Sequence, residues 1–410
     1  MNSLIKTSVN TQHYLELEEK YGAHNYHPLP VVLERGEGVF LYDVDGRRYY
    51  DFLSGYSAVN QGHCHPKIIA ALVEQAKKLT LTSRAFHSNL LGEYEKFITG
   101  YFGYDKVLPM NTGVEAVETG IKLARHWGYK IKGIEQDKAK IIVCNNNFHG
   151  RTTGIISFST DATATTDFGP FIGGYEKIPF NDLPALEKAL QDKNVCGFLF
   201  EPIQGEAGVV VPAEGYYKGV RTLCTEYNVL MVADEIQTGL ARTGTMLACD
   251  HENVRPDILL LGKALSGGVL PVSAVLSDDE IMMTIKPGEH GSTYGGNPLA
   301  CAVAITALQV LKDEHMAGNA AAMGELLRTE LQKLNSPLVE IVRGRGLLNA
   351  IVIKHSNAEA AWDLCLTLKD NGLLAKPTHG DKIRFAPPLI INEQQVLECV
   401  DIINKSLRSL

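Results

Sequence analysis

The 410-residue chain has no run of five or more basic residues, and its net charge is −8. Nucleic-acid and membrane-surface binding both rest on clustered Lys and Arg, so neither partner is expected. The eight cysteines stand singly, at 64, 144, 196, 224, 249, 301, 365 and 399, with no C-x-x-C pair. Dispersed thiols in a chain of this length suit reduced core positions and a reducing compartment. The opening stretch MNSLIKTSVNTQHYLELEEKYG has neither the continuous apolar stretch of a secretory leader nor the Arg-rich character of a transit segment, so a cytoplasmic address is expected. No G-x-G-x-x-G opens a helix after a strand: Gly344 and Gly346 are followed by Asn349 at the third position. Neither G-x-S-x-G nor G-x-x-x-x-G-K-[ST] occurs. Dinucleotide oxidoreductase, serine hydrolase and P-loop readings therefore lose their main support. Internal repeats and low-complexity stretches are absent as well.

What is present is a globular composition, 45% hydrophobic and 21% charged, which excludes disorder and fibrous structure as global descriptions. The length exceeds one ordinary core and fits two or three domains. Residues 1–55 read as an irregular N-terminal segment, except for a hairpin-like pair turning at Asp45-Gly46. From 56 to 314, helical periods alternate with short apolar runs. Lys106–Pro109 leads into Asn111-Thr112-Gly113 and a helix with Val114, Val117, Ile121, Ala124 and Trp127 on one face. Strands are expected at Lys140–Cys144, Cys196–Glu201, Val229–Ala233 and Ile258–Leu261, with helices such as Leu183–Gln191 and Tyr216–Tyr227 between them. Such alternation predicts an α/β large domain around a mostly parallel sheet. Residues 315–410 predict a small α+β C-terminal domain: helix Asn319–Lys333, strand Gly346–Ile353, helix Ala358–Asn371, a β segment at Lys382–Ala386 and a closing helix Glu393–Leu407.

Ligands in open α/β sheets bind beyond the carboxyl ends of the strands, and three such ends carry unusual residues. Lys263 lies among Leu259, Leu260, Leu261, Ala264 and Leu265. Burial disfavours an ammonium, and the neutral amine that results is a nucleophile for a carbonyl. An ion-paired or snorkelling structural lysine has the same neighbours. The apolar run from Ile258 to Leu276 is not read as a membrane span. Its central Lys263 would cost about 2.5–3.5 kcal/mol there, and Gly262, Gly267, Gly268 and Pro271 break it into strand, turn and strand. Asp234 and Glu235 follow another strand; such a carboxylate either caps a turn or holds a protonated ring nitrogen. Thr112-Gly113-Val114 is either an ordinary N-cap or a set of N–H groups open to an anion. Gly291–Pro298 reads as a second anion loop or as a plain turn into a Pro-started helix. His63-Cys64-His65 resembles a metal cluster, yet no distant pair has matching spacing, so a turn without metal is expected.

Anion cradle, acidic ring-nitrogen partner and buried amine are the three handles of pyridoxal 5′-phosphate (PLP). The stretches Ala233-Asp234-Glu235-Ile236-Gln237-Thr238-Gly239 with Arg242-Thr243-Gly244, and Pro256-Asp257 with Lys263 and Gly267-Gly268, resemble the class III aminotransferases of PLP fold type I. The resemblance covers nearly the whole chain. Ser57–His65, Asn111–Ala116, Glu201–Gly208, Gly344–Ile353 and Ala375–Pro387 draw it toward the branch of that family acting on ornithine. The resemblance implies that Lys263 carries PLP covalently and shuttles the proton, with Asp234 on the pyridine nitrogen and Gln237 on the ring hydroxyl. Phe148 and Ile236 would sandwich the ring, and Gly113 and Val114 would offer N–H groups to the phosphate. Thr293 of the partner subunit would complete that phosphate site in a homodimer with shared active sites. The substrates implied are L-ornithine and 2-oxoglutarate, converted by a ping-pong route to glutamate 5-semialdehyde and glutamate. Arg384 would bind the 2-oxoglutarate carboxylate in a two-pronged contact, and Glu206 would pair with Arg384 while ornithine reacts. Tyr26 and Arg151 would hold the distal amino-acid group, and Tyr56 would shape the pocket. One position departs from the branch, which often carries Trp where His149 stands; the wider class commonly has His there. Branches using N-acetylornithine or 4-aminobutyrate do not combine Glu206 with Tyr56. A non-catalytic scaffold would have no reason to place a lysine in an apolar run.

Overall fold

The computed structural model describes residues 8–354, 357 and 359–409. Ala358, where one helix was expected to begin, and the first seven residues of the opening stretch lie outside them. Residues 8–55 are more ordered than their sequence suggests. Val9–Tyr21 is a helix capped by Ser8, whose hydroxyl accepts from the Thr11 N–H. Three short strands follow: β1 (Leu33–Glu37), β2 (Phe40–Asp43) and β3 (Arg48–Asp51). The expected turn at Asp45-Gly46 joins β2 to β3, which pair antiparallel.

The central sheet takes β4 (Lys106–Met110), β5 (Lys140–Cys144), β6 (Tyr175–Ile178), β7 (Val195–Phe200), β8 (Leu230–Asp234), β9 (Ile258–Leu261) and β10 (Ser273–Ser277) in the order β4-β10-β9-β8-β7-β5-β6. Only β10 runs against its neighbours; the pairs from β9 through to β6 are parallel. The mostly parallel α/β sheet is therefore as expected. Every residue of β7, β8, β9 and β10 is buried, as a sheet covered on both faces requires. The helix Gly113–Trp127 covers one face with Val117, Ile121, Ala124 and Trp127. Helices Leu183–Leu190 and Tyr216–Glu226 cover the other through Leu186, Tyr217 and Val220. Each such large apolar side chain contributes about 1.5–3 kcal/mol on burial.

Residues beyond the central sheet build an antiparallel sheet ordered β11-β12-β15-β14, from β11 (Val339–Arg345), β12 (Leu348–Ile353), β14 (Lys376–Thr378) and β15 (Lys382–Phe385). Helices Met316–Lys333, Ala360–Asp370 and Glu393–Leu407 accompany it. The two-residue strand β13 (Leu373–Leu374) instead leaves to pair in parallel with β3. The N-terminal strands are thus stitched to the C-terminal third of the chain. Among the described residues no helix is long and apolar enough to cross a membrane.

Candidate active site

The carboxyl ends of β5, β7, β8 and β9 open onto one cavity of about 220 Å³. Its wall holds Gly113, Val114, Phe148, Asp234, Ile236, Gln237, Lys263 and Glu206, all expected site residues, together with His149, Gly150, Glu201, Ile203 and Thr238. The strand-end rule thus gathers residues up to 150 positions apart, although β-pairing alone fixes none of the side chains.

Lys263 is the first residue after the bend at Gly262 that ends β9. It starts a single 3₁₀ turn, Lys263–Ser266, with φ at 43°. A non-glycine residue in that region is strained by about 1–3 kcal/mol, the kind of strain concentrated at functional sites. Burial lowers the lysine's pKa, opposed by the carboxylates of Glu206 and Asp234. The amine is therefore readier to be neutral than an exposed lysine, as nucleophilic attack on a carbonyl needs.

Asp234 closes β8 rather than following it. Both its oxygens are engaged: Oδ1 accepts the Ile236 N–H at 3.1 Å and Oδ2 accepts from His149 Nδ1 at 2.7 Å. Gly113 opens the helix Gly113–Trp127 behind its N-cap Thr112, whose N–H and hydroxyl both reach Glu115. A Cβ on Gly113 would stand 3.3 Å from the Ile236 methyls. Glycine there keeps open the slot between the helix start and Ile236. A Cβ on Gly205 would fall 1.5 Å from Gln237 Oε1, so a side chain there would displace the Gln237 amide.

Arg384, in β15, is fully buried and donates through Nη1 to Glu206 Oε1 at 2.6 Å. Gln237 Nε2 donates to the same oxygen at 3.1 Å, and Gln237 Oε1 lies 3.4 Å from Arg384 Nη1. Burial alone would raise the Glu206 carboxyl, but Arg384 outweighs it and holds the group below the usual carboxylate range. The Arg384 guanidinium also lies 5.1 Å from the Tyr56 ring centroid. Tyr56 sits on a left-handed turn in which Ser54, Gly55, Tyr56 and Ser57 all have φ between 50° and 70°. Burial raises its hydroxyl pKa, and the charge of Glu206 adds to that.

Five expected site residues lie outside the cavity wall: Arg384, bonded to Glu206, Tyr56 beside that arginine, and three others. Tyr26 is 65% exposed, with Lys376 Nζ 5.9 Å from its ring. Arg151 is exposed, its guanidinium 5.7 Å from the Phe148 ring. Thr293 lines a separate hollow with Ser83, Arg84 and Phe86, although its neighbour Ser292 accepts from Asn111 Nδ2 beside the helix start. His63 and His65 engage Asp51 and Glu314. No group of three His, Cys, Asp or Glu is placed to hold a metal among the described residues. The sequence reading missed Glu201 as a site residue. It stands one position beyond β7 and accepts the Phe148 N–H at 3.0 Å, so the strand-end rule that found Asp234 and Lys263 would have found it too.

A buried amine, a carboxylate fixed at a strand end, an apolar slot and a glycine-opened helix start together fit a phosphorylated pyridine aldehyde. Comparison with known proteins agrees. The family described as "Aminotransferase class-III" matches residues 21–407. The mitochondrial ornithine aminotransferase of Rattus norvegicus is 66% identical over 98% of this chain and 91% of its own length. The ornithine aminotransferase of Toxoplasma gondii, solved with partial occupancy of PLP at its active site, is 50% identical with a TM-score of 0.96, over 97% of this chain and 94% of that one. A solved acetylornithine aminotransferase from Elizabethkingia anophelis is 58% identical with a TM-score of 0.90, over 98% of this chain and 99% of that one. The likeness extends from the motifs to the full architecture, the cofactor is PLP, and the chain belongs to the class III aminotransferases of fold type I.

Proposed function

We propose that this aminotransferase moves the δ-amino group of L-ornithine to 2-oxoglutarate by a ping-pong route, yielding glutamate 5-semialdehyde and glutamate. The observation that carries this reading is the Glu206–Arg384 pair at 2.6 Å beside Lys263. A pocket serving only dicarboxylates has no need to neutralise its arginine. A pocket that alternates between a cationic amine donor and a dicarboxylate does.

When bound, PLP supplies an electron sink for the carbon that loses its proton. Lys263 would hold the cofactor through its amine, and its Nζ, when free, would take the proton from the substrate carbon and return it. The Asp234 carboxylate keeps negative charge opposite the ring nitrogen. Phe148 and Ile236, which line the cavity, would confine the ring, and the Gly113 and Val114 N–H groups would receive the phosphate. With ornithine in place, Glu206 cancels the Arg384 charge, while Tyr26 and Arg151 take the distal amino-acid group. When a dicarboxylate arrives, Glu206 releases Arg384. Gln237, in contact with both, follows the exchange.

A second reading, N-acetylornithine as donor, is favoured by the likeness to the Elizabethkingia anophelis enzyme. Stopped-flow spectra without oxo-acid decide between them. Ornithine should bleach the cofactor's visible band at least about tenfold faster than N-acetylornithine or 4-aminobutyrate, a difference of about 1.4 kcal/mol in barrier. Faster bleaching by N-acetylornithine would overturn the assignment.

Thr293 lines a hollow separate from its own chain's cavity, and Phe86 in that hollow and the neighbouring Tyr294 are exposed. This supports a homodimer in which the loop serves the neighbouring site. Sedimentation should give about twice the 44.9 kDa chain mass; a fully active monomer would sink that proposal. The lone cysteines, seven of the eight buried, support a reducing compartment such as the cytoplasm. The rat relative's name says mitochondrial, and cell fractionation distinguishes the two.

A further inference from the structure

His149 and Glu201 are both buried in the cavity wall, and no step above uses either. The His149 side chain has no exposed surface, and that of Asp234 almost none. A carboxylate can only accept, so His149 Nδ1 carries the hydrogen in its 2.7 Å contact with Asp234 Oδ2. The other ring nitrogen, Nε2, is sealed from solvent and has no partner. The ring therefore has a single polar commitment, to the acid. The preceding residue is fixed from the other side: Glu201 Oε2 accepts the Phe148 N–H at 3.0 Å. Asn147 anchors the same loop, donating through Nδ2 to the Cys144 and Phe158 carbonyls. One dipeptide thus carries the apolar ring that lines the slot and the imidazole that orients the acid, and two buried carboxylates hold it.

We propose, on the reading of the cofactor site given above, that His149 is a positioning residue, steering the Asp234 carboxylate onto the cofactor's ring nitrogen, while Glu201 sets the Phe148–His149 segment from which it acts. Bonds to a metal-bound or charged group are commonly steered by a second partner of this kind. Burial disfavours a charge on His149, but Asp234 outweighs it and raises the imidazole pKa. The direction agrees with a donor held firmly on the acid. Glu201 is pushed up to about 7 by its own burial, moderated by His149 and the Phe148 N–H.

The test is the rate at which full-length holoenzyme releases PLP on dilution, followed by the visible band, together with the band's midpoint in a pH titration. His149→Phe keeps an aromatic ring and removes the donor. His149→Asn keeps a donor near Nδ1 and removes ring volume. Loss of a hydrogen bond to a charged group corresponds to about tenfold or more. His149→Phe should therefore release PLP at least about tenfold faster and shift the band's pH midpoint, and His149→Asn should stay within about threefold of the parent. His149→Leu is a second donor-free variant should the phenylalanine not fit, with the same expectation. Release at the parent rate from a folded donor-free variant overturns the proposal, as does His149→Asn failing as badly as His149→Phe, which would assign the effect to packing. Asp234→Ala in the same assay separates the two levels. If it releases PLP no faster than the parent, the cofactor-site reading fails; if it releases fast while His149→Phe does not, only the role of His149 fails.

Discussion

Lys263→Ala is expected to lower turnover by about 10³-fold or more and to abolish the covalent cofactor band, while the protein stays folded. A positioned general acid–base group contributes about 10²–10⁴-fold by itself, and this residue is also the covalent anchor. Removal should not harm stability, because the amine sits in the cavity wall where burial lowers its pKa, and among the described residues no hydrogen bond depends on it. The positive φ of residue 263 is equally strained for lysine and alanine, so the backbone cost cancels. Lys263→Arg is the informative companion. It restores length and charge, yet a guanidinium stays protonated and cannot attack a carbonyl, so activity should stay as low as in the alanine variant. Turnover of Lys263→Ala near the parent level, measured with ornithine and 2-oxoglutarate, would sink the assignment of this residue.

Much of this was legible in the chain because it depends on local pattern. The buried runs of β7, β8 and β9 show as uninterrupted apolar residues, and Asp234 and Lys263 stand out because each breaks such a run at its end. The helix after Gly113 shows as a 3.6-residue period, and its capping box shows as Thr112 followed by Glu115. The less legible features depend on residues far apart in sequence. β13 and β3 pair across more than three hundred residues, so nothing near residue 50 announces that the N-terminal hairpin is extended by a strand from the far end of the chain. Arg384 meets Glu206 from an antiparallel sheet that periodicity does not align with the central one; only the resemblance to a family brought the two together. The left-handed turn that presents Tyr56 has glycine at one of its four positions, and each remaining residue costs about 1–2 kcal/mol there. Local preference argues against that turn, and the surrounding packing imposes it. His149 was visible as a departure at one position, but its role needed the 2.7 Å contact across 85 residues.

Glu206→Gln is expected to divide the two half-reactions. Glutamine keeps the length and an acceptor oxygen, so the contacts from Arg384 Nη1 and Gln237 Nε2 can persist. The Thr378 hydroxyl bond goes to the residue 206 backbone carbonyl and is untouched. What disappears is the negative charge beside a fully buried guanidinium whose Nε already lacks a partner. Loss of a charge-assisted bond of this kind costs about 1–3 kcal/mol, and thermal unfolding should register it. In the ornithine half-reaction the uncancelled Arg384 charge would stand in a pocket that must take a cationic donor, so the rate of bleaching by ornithine should fall by about 10–100-fold, which corresponds to about 1.4–2.8 kcal/mol. In the 2-oxoglutarate half-reaction Arg384 is already free for the carboxylate, so that rate should hold and KM should fall. Acid should imitate the mutation only in part. Glu206 is held below the usual carboxylate range, so the pair's contribution is full above the ordinary carboxylate pKa and is lost only as pH falls through the depressed value. Near-neutral assays therefore see the pair intact in the parent, and equal losses in both half-reactions of the variant would show that Glu206 supports the pocket's shape rather than switching its charge.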